Sequence, residues 1–177
     1  MVSKPNIKGI RMLLGMTLQG FTQFHVVISL IGIASGLIVA LAMLSAKRPA
    51  ATTALFLLTT ALTDITGFMF PMPFDPADVI GIIDLVFVAL ACVALYVNHL
   101  KGAARWIYVA SALLALYFNC FVLVVQSFQK IPFLHQFAPK GNEPAFAVAQ
   151  GVLLILFIGL AVAALKKFRP LVVRAVA

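Results

Sequence analysis

Five long apolar runs alternate with short polar connections along this chain. None of the runs shows the residue-by-residue alternation that indicates a half-exposed strand. Each run reaches the roughly 20 residues with which a helix crosses ~30 Å of hydrocarbon. A segment in lipid must also satisfy its backbone hydrogen bonds internally, which favours helices. The pattern predicts an all-α integral membrane protein, a bundle of five transmembrane helices at about 24–44, 51–70, 79–98, 106–127 and 145–165.

Prolines mark several ends of these runs. Pro71 and Pro73 end the second run, while Pro76 and Pro144 open the third and fifth. Proline cannot donate a backbone hydrogen bond, so it is favoured at such boundaries. The connections are short, and the longest, about 128–143, has room for a brief surface turn. We therefore expect a single transmembrane bundle over residues 22–170.

The two termini are predicted to lie outside the bundle. Residues 1–21 carry apolar side chains at helical spacing, which favours a short interfacial helix on the membrane surface over a disordered tail. Residues 171–177 are predicted to be a basic cytoplasmic tail. The apolar run from Val26 to Leu44 exceeds the roughly 7–15 residues of a signal-peptide core, so we interpret it as a permanent span.

The composition supports a membrane protein. Of the 177 residues, 63% are hydrophobic and 10% are charged. In a soluble domain nearly half of the residues are hydrophobic and about a quarter are charged. The lipid bilayer is therefore the expected surrounding of this chain. The net charge of +8 could suggest nucleic acid in a soluble protein. Here the basic residues stand between the apolar runs, which indicates contact with anionic lipid and no nucleic-acid partner.

Basic residues are distributed unevenly between the two ends of the predicted bundle. Five spans put the termini on opposite sides, and the C-terminal side holds eight basic residues against five on the other. The positive-inside rule then puts the C-terminus in the cytoplasm and the N-terminus outside. Lys4, Lys8 and Arg11 of the N-terminal tail oppose this orientation. The eight are Lys47, Arg48, Lys101, Arg105, Lys166, Lys167, Arg169 and Arg174.

Every predicted span carries a polar side chain toward its outer end. Asp64 lies ten residues before Phe74 and Asp84 lies ten residues after it, which gives equal depth on two antiparallel helices. Acids inside a membrane are costly and mark functional sites by default. We expect an outer-facing polar pocket in which the two acids form a coupled pair that shares one proton. The candidate ligand- or ion-binding residues are His25, Asp64, Asp84, Asn119, Gln126 and Gln150.

Two other interpretations of these residues stay open. Polar residues such as Ser29, Thr60 and Asn119 commonly form hydrogen bonds between membrane helices and only stabilise packing. Alternatively, His25, Asp64 and Asp84 are metal ligands, a set that would suit zinc, manganese or iron.

The chain lacks the common catalytic motifs. It has no H-E-x-x-H, no G-x-S-x-G and no phosphate-binding glycine loop, and no lysine lies in the middle of a span. Cys92 and Cys120 lie within apolar runs and form no C-x-x-C, so we interpret them as packing residues. No catalytic residue is assigned, an enzyme is not favoured, and the sequence points to no particular cofactor.

Three stretches carry a resemblance: FHVVISLIGIASG at 24–36, TALFLLTTALTDITGFMFP at 53–71 and YFNCFVLVVQSFQKIPFLH at 117–135. They resemble a group of small bacterial polytopic inner-membrane proteins that has no functional name. The similarity runs through most of the chain. It implies a multi-pass protein of the bacterial inner (cytoplasmic) membrane and carries over no activity or site.

Three functions fit these observations. The favoured one is a pocket that binds, or helps to move, a cation, a proton or a small polar ligand. Five helices are few for a complete alternating-access transporter, so a homo-oligomer or another membrane protein is expected as partner. The alternative is a structural or accessory subunit of a larger membrane complex. The third is a membrane metal or redox protein.

Overall fold

The computed structural model describes residues 12–71 and 76–169. Five of its helices are long and apolar enough to cross a membrane, which confirms the predicted all-α five-helix bundle. A single-turn helix and a two-stranded hairpin accompany them. In chain order the elements are β1 Met12–Leu13, β2 Met16–Thr17, α1 Leu18–Leu44, α2 Ala50–Gly67, α3 Pro76–Cys92 with a π-helical turn Val93–Val97, α4 Ala104–Lys130, α5 Pro132–His135 and α6 Pro144–Lys167.

The β1–β2 hairpin differs from the interfacial helix expected at the N-terminus. Leu14 and Gly15, its two central residues, both have positive φ angles, as two-residue hairpin turns of the primed type require. Thr17 then caps α1 by accepting a hydrogen bond from the backbone N–H of Gly20. As a result α1 begins at Leu18, six residues before the predicted boundary. The rest of the predicted interfacial helix, residues 1–11, and the predicted tail at 171–177 lie outside the described residues.

The long helices alternate in direction, which gives the bundle two faces. We call the N-terminal face the one with the hairpin, the α2–α3 connection and the 131–143 connection. The C-terminal face carries the connections at 45–49 and 98–103. Helix α4 lies at the centre and contacts α1, α2, α3 and α6. Its buried apolar residues, such as Val109 and Leu116, form the middle of the core.

Close approach of α1 to its neighbours depends on glycine. A β carbon at Gly36 would lie 2.6 Å from Leu116 of α4 and 2.8 Å from Phe56 of α2. A β carbon at Gly32 would lie 3.2 Å from the hydroxyl of Thr59. Small residues allow membrane helices to approach this closely, and they set the register between α1, α2 and α4.

Arg105 joins two helices at the C-terminal face. Its guanidinium donates to the carbonyl of Phe168 at 2.6 Å and to that of Leu165 at 3.4 Å. These carbonyls end α6 and lack partners within their own helix. The same guanidinium lies 4.3 Å from the ring centroid of Trp106. This contact holds the start of α4 against the end of α6.

Candidate functional site

Asp84 and Asn119 meet between α3 and α4. The side-chain amide of Asn119 donates to Asp84 Oδ2 at 3.3 Å. Asp84 is only 2% exposed, and its other carboxylate oxygen, Oδ1, is buried without a hydrogen-bond partner among the residues that the structure describes. A fully buried carboxylate is therefore held by one long hydrogen bond from a neutral amide.

The side-chain amide of Asn119 is shared among several acceptors near Asp84. Besides Asp84, the amide nitrogen of Asn119 faces Thr60 Oγ1 at 3.4 Å and the carbonyl of Ala115 at 3.2 Å. An amide nitrogen has two hydrogens, so three acceptors compete for two donors. Thr60, Asp84 and Asn119 are all buried. The amide of Asn119 therefore cannot donate to all three acceptors at once.

Asp64 lies beside this cluster, on the side of α2 that faces α3. Its Oδ2 is buried without a hydrogen-bond partner among the described residues, and its Oδ1 is 3.9 Å from the position of a β carbon on Gly81. The negative charge of Asp64 acts on Asp84, and no lysine or arginine in residues 12–71 and 76–169 contributes to the electrostatics of either acid. The two carboxylates expected at equal depth therefore both lie at the α2–α3 interface, without a counter-charge from the described part of the chain.

His25 lies elsewhere, between α1 and the other side of α2. Its Nδ1 is 2.8 Å from Thr66 Oγ1. The Thr66 hydroxyl also lies 2.7 Å from the carbonyl of Leu62, and when it donates to that carbonyl it accepts a hydrogen bond from Nδ1–H of His25. The His25 ring also packs edge-on against Phe70, with centroids 5.2 Å apart. The structure brings His25 to Thr66 and Phe70, and not to the acids.

Thr66 was not among the residues selected from the sequence. It stands two positions after Asp64, and a step of two residues turns a helix by roughly 200°. If Asp64 faces α3, Thr66 must face away from α3, toward α1. The spacing between Asp64 and Thr66 in the sequence therefore contained the signal that Thr66 could pair with a polar residue of α1.

Gln126 and Gln150 lie on the remaining side of the bundle. Gln150 of α6 donates to the backbone carbonyl of Phe121 in α4 at 3.2 Å. The side-chain oxygens of Gln126 and Gln150 are buried without partners. These two residues bring polar atoms to the halves of α4 and α6 nearer the N-terminal face, apart from the Asp84–Asn119 contact.

The metal interpretation needs three converging ligands. Within residues 12–71 and 76–169, no group of three or more His, Cys, Asp or Glu side chains is arranged to hold a metal ion. The hydrogen bond that the structure gives His25 is with Thr66, whereas Asp64 and Asp84 lie at the α2–α3 interface.

The fold and the site define an all-α membrane protein, a five-helix bundle in which Asp64 and Asp84 each have one buried oxygen without a hydrogen-bond partner among the described residues. Comparison with family models, curated proteins and solved structures finds no match to this chain.

Proposed function

We propose that this protein binds, and helps to move, a proton or a small cation at an acidic site formed by Asp64, Asp84 and Asn119. The observation that carries the proposal is the carboxylate of Asp84. It is fully buried, and among the described residues its Oδ1 has no hydrogen-bond partner and the one charge that acts on it is the negative charge of Asp64.

The physical reason is the cost of burying an unpaired charge. Moving a carboxylate out of water costs several kcal/mol even after relaxation, and an attractive partner must offset this cost. The Asn119 amide is neutral and is shared with two other acceptors. A proton on one acid, or a cation between the two, would neutralise the pair and use the oxygens that have no partner. Small polar ligands with a donor group could occupy the same oxygens.

The proposed setting is a bacterial cytoplasmic membrane, with the N-terminal face outside. Among the described residues, the C-terminal face carries the larger group of basic side chains, and the positive-inside rule assigns such a face to the cytoplasm. The N-terminal face carries Lys130 and Lys140. The larger group is Lys47, Arg48, Lys101, Arg105, Lys166, Lys167 and Arg169. The acidic site is then reached from the outer face, and a second copy or another membrane protein completes the route.

Infrared difference spectroscopy of the protein in lipid tests the proposal directly, because a protonated carboxylic acid absorbs apart from a carboxylate. We expect the native protein to show a carboxyl signal that changes when Na⁺ replaces a bulky organic cation, or when the pH is raised from neutral. Asp84→Asn should abolish this signal, and Asp64→Asn should abolish or shift it, since the acids are coupled.

Two controls make the experiment specific. Asp78→Asn removes an acid from the first turn of the same helix and should leave the signal unchanged. His25→Ala should also leave it unchanged, because His25 is paired with Thr66 on the other side of α2. If the signal responds neither to pH nor to Na⁺, K⁺ or Ca²⁺, or if it survives Asp84→Asn, the proposal is wrong.

One observation favours the accessory subunit as a second candidate. Helix α6 buries a single residue, Ala164, and exposes a broad apolar surface that includes Val148 and Ile155. Such a surface suits either lipid or a neighbouring membrane protein. In an accessory subunit the polar contacts would only fix helix packing, so Asp64→Asn and Asp84→Asn would leave fold and cellular phenotype unchanged.

A further inference from the structure

Phe68 lies beside Asp64, toward the N-terminal face. It follows the last residue of α2 and lies one helical turn beyond Asp64. Its ring is seated on Gly81 of α3: atoms Cζ and Cε1 are 3.2 and 3.5 Å from the position that a β carbon would take there. Asp64 Oδ1 is 3.9 Å from the same position. The ring and the carboxylate therefore both pack next to Gly81, in space that is free because this residue has no side chain.

The order of these groups along the helices places Phe68 on the route to the acids. From Gly81, α3 runs inward for one turn to Asp84, while α2 runs inward for one turn from Phe68 to Asp64. Asp84 is 2% exposed, so a ligand that arrives from the N-terminal face must displace a covering group. Phe68 is 39% exposed and lies in the turn after α2, outside the buried core. Its ring can swing outward without opening the helix packing.

We propose that Phe68 is the specificity-determining residue of the acidic site: seated on Gly81, its ring admits a proton or a bare inorganic cation and excludes organic cations. This inference rests on the proposed function. The site opens when the Phe68 side chain rotates at the end of α2. Local motions of this kind have a small free-energy cost. The two residues that form this contact are Phe68, directly after α2, and Gly81 of α3.

Access can be measured separately from ligand binding. In a chain with Cys92→Ala and Cys120→Ala, Asp84→Cys provides one thiol at the site. A water-soluble methanethiosulfonate reagent with a trimethylammonium group then serves as an organic-cation probe. The thiolate attacks the reagent's sulfenyl sulfur, forms a mixed disulfide and releases methanesulfinate. Mass spectrometry of the protein in lipid gives the reaction rate.

We expect slow modification with Phe68 present and a rate roughly tenfold higher or more with Phe68→Ala, because the cover is removed. Phe68→Leu should give an intermediate rate, and it decides the question alone if Phe68→Ala fails to fold. Phe24→Ala is the matched control. Phe24 is similarly exposed, at 40%, and lies in the half of α1 that is nearer the N-terminal face. It should leave the rate unchanged.

Three results would overturn this role of Phe68: fast modification with the ring in place, a rate that does not depend on Phe68, or an equal increase with Phe24→Ala. None of them bears on whether the native acids bind a proton or a cation, which the infrared experiment measures. Conversely, a Phe68-dependent rate in a protein whose acids show no infrared response would mean that access is controlled but the proposed function is wrong.

Discussion

At the scale of single residues, the candidate site depends on the hydrogen bond between Asn119 and Asp84. Both residues were selected from their depth, and the structure joins them at 3.3 Å. Depth followed from counting residues along antiparallel helices, which needs no knowledge of packing. The angle around each helix did not follow, because it depends on how neighbours rotate. For that reason His25 could be assigned to the rim of the pocket, but its hydrogen-bond partner, Thr66, could not be identified.

The shared amide makes a stability prediction. Asn119→Ala removes the only donor that the described residues offer to Asp84, so we expect a loss of roughly 1–3 kcal/mol, the usual cost of an unsatisfied buried polar group. Asp84→Asn should be neutral or stabilising instead, because it keeps hydrogen-bonding capacity and removes a buried charge. Thermal unfolding in detergent, followed by circular dichroism, measures both changes.

The control for Asn119→Ala is Asn98→Ala, an exposed position in the 98–103 connection, which should change the unfolding temperature little. A destabilised Asp84→Asn variant would contradict the prediction. It would indicate that the carboxylate is itself a stabilising partner in the folded protein.

At the scale of elements, the five apolar runs predicted the helices well and their ends less well. Helix α4 extends to Lys130, past the predicted end at 127, and the 128–143 connection contains the one-turn helix α5. Polar residues such as Gln129 and Lys130 ended the apolar run without ending the helix. The π-helical turn at Val93–Val97 left no trace in the apolar pattern, because every residue in it is apolar or aromatic. Hydropathy indicates which segments can lie in lipid, whereas the residue at which a helix ends depends on caps and turns.

The glycine contacts of α1 make a prediction at this scale. Gly36→Ala places a methyl group within 2.9 Å of Leu116 and Phe56, so both side chains must shift. Overpacking of this kind typically costs ~1–3 kcal/mol. Gly151→Ala in α6 is the matched control: nothing lies within 4 Å of its β-carbon position, so we expect no loss. Thermal unfolding of both variants in the same detergent gives the comparison, and equal stability would mean that α1 does not depend on this close approach.

At the scale of the whole molecule, the sequence predicted the number of helices but not their arrangement around α4. Apolar runs that are hydrophobic on every side carry little information about which face meets a neighbour. Thus the central position of α4 and the peripheral position of α6 emerge only from packing. The candidate site shows the same limit. The sequence predicted that its polar side chains lie at a similar depth in the bundle. It did not predict that they separate into an Asp84–Asn119 contact, a His25–Thr66 contact and a pair of glutamines.

Orientation in the membrane is the last prediction, and it decides which compartment the acidic site faces. The basic residues of the C-terminal face should hold that face in the cytoplasm, because positive charges near span ends resist translocation. A fluorescent protein fused after Ala177 should therefore be active, and alkaline phosphatase at the same position should be inactive. Insertion of alkaline phosphatase in the 136–142 connection should be active, since that connection lies on the opposite face. The reverse pattern would place Phe68 and the acids on the cytoplasmic side, and the protein would then take its ligand from within the cell through the same covered route.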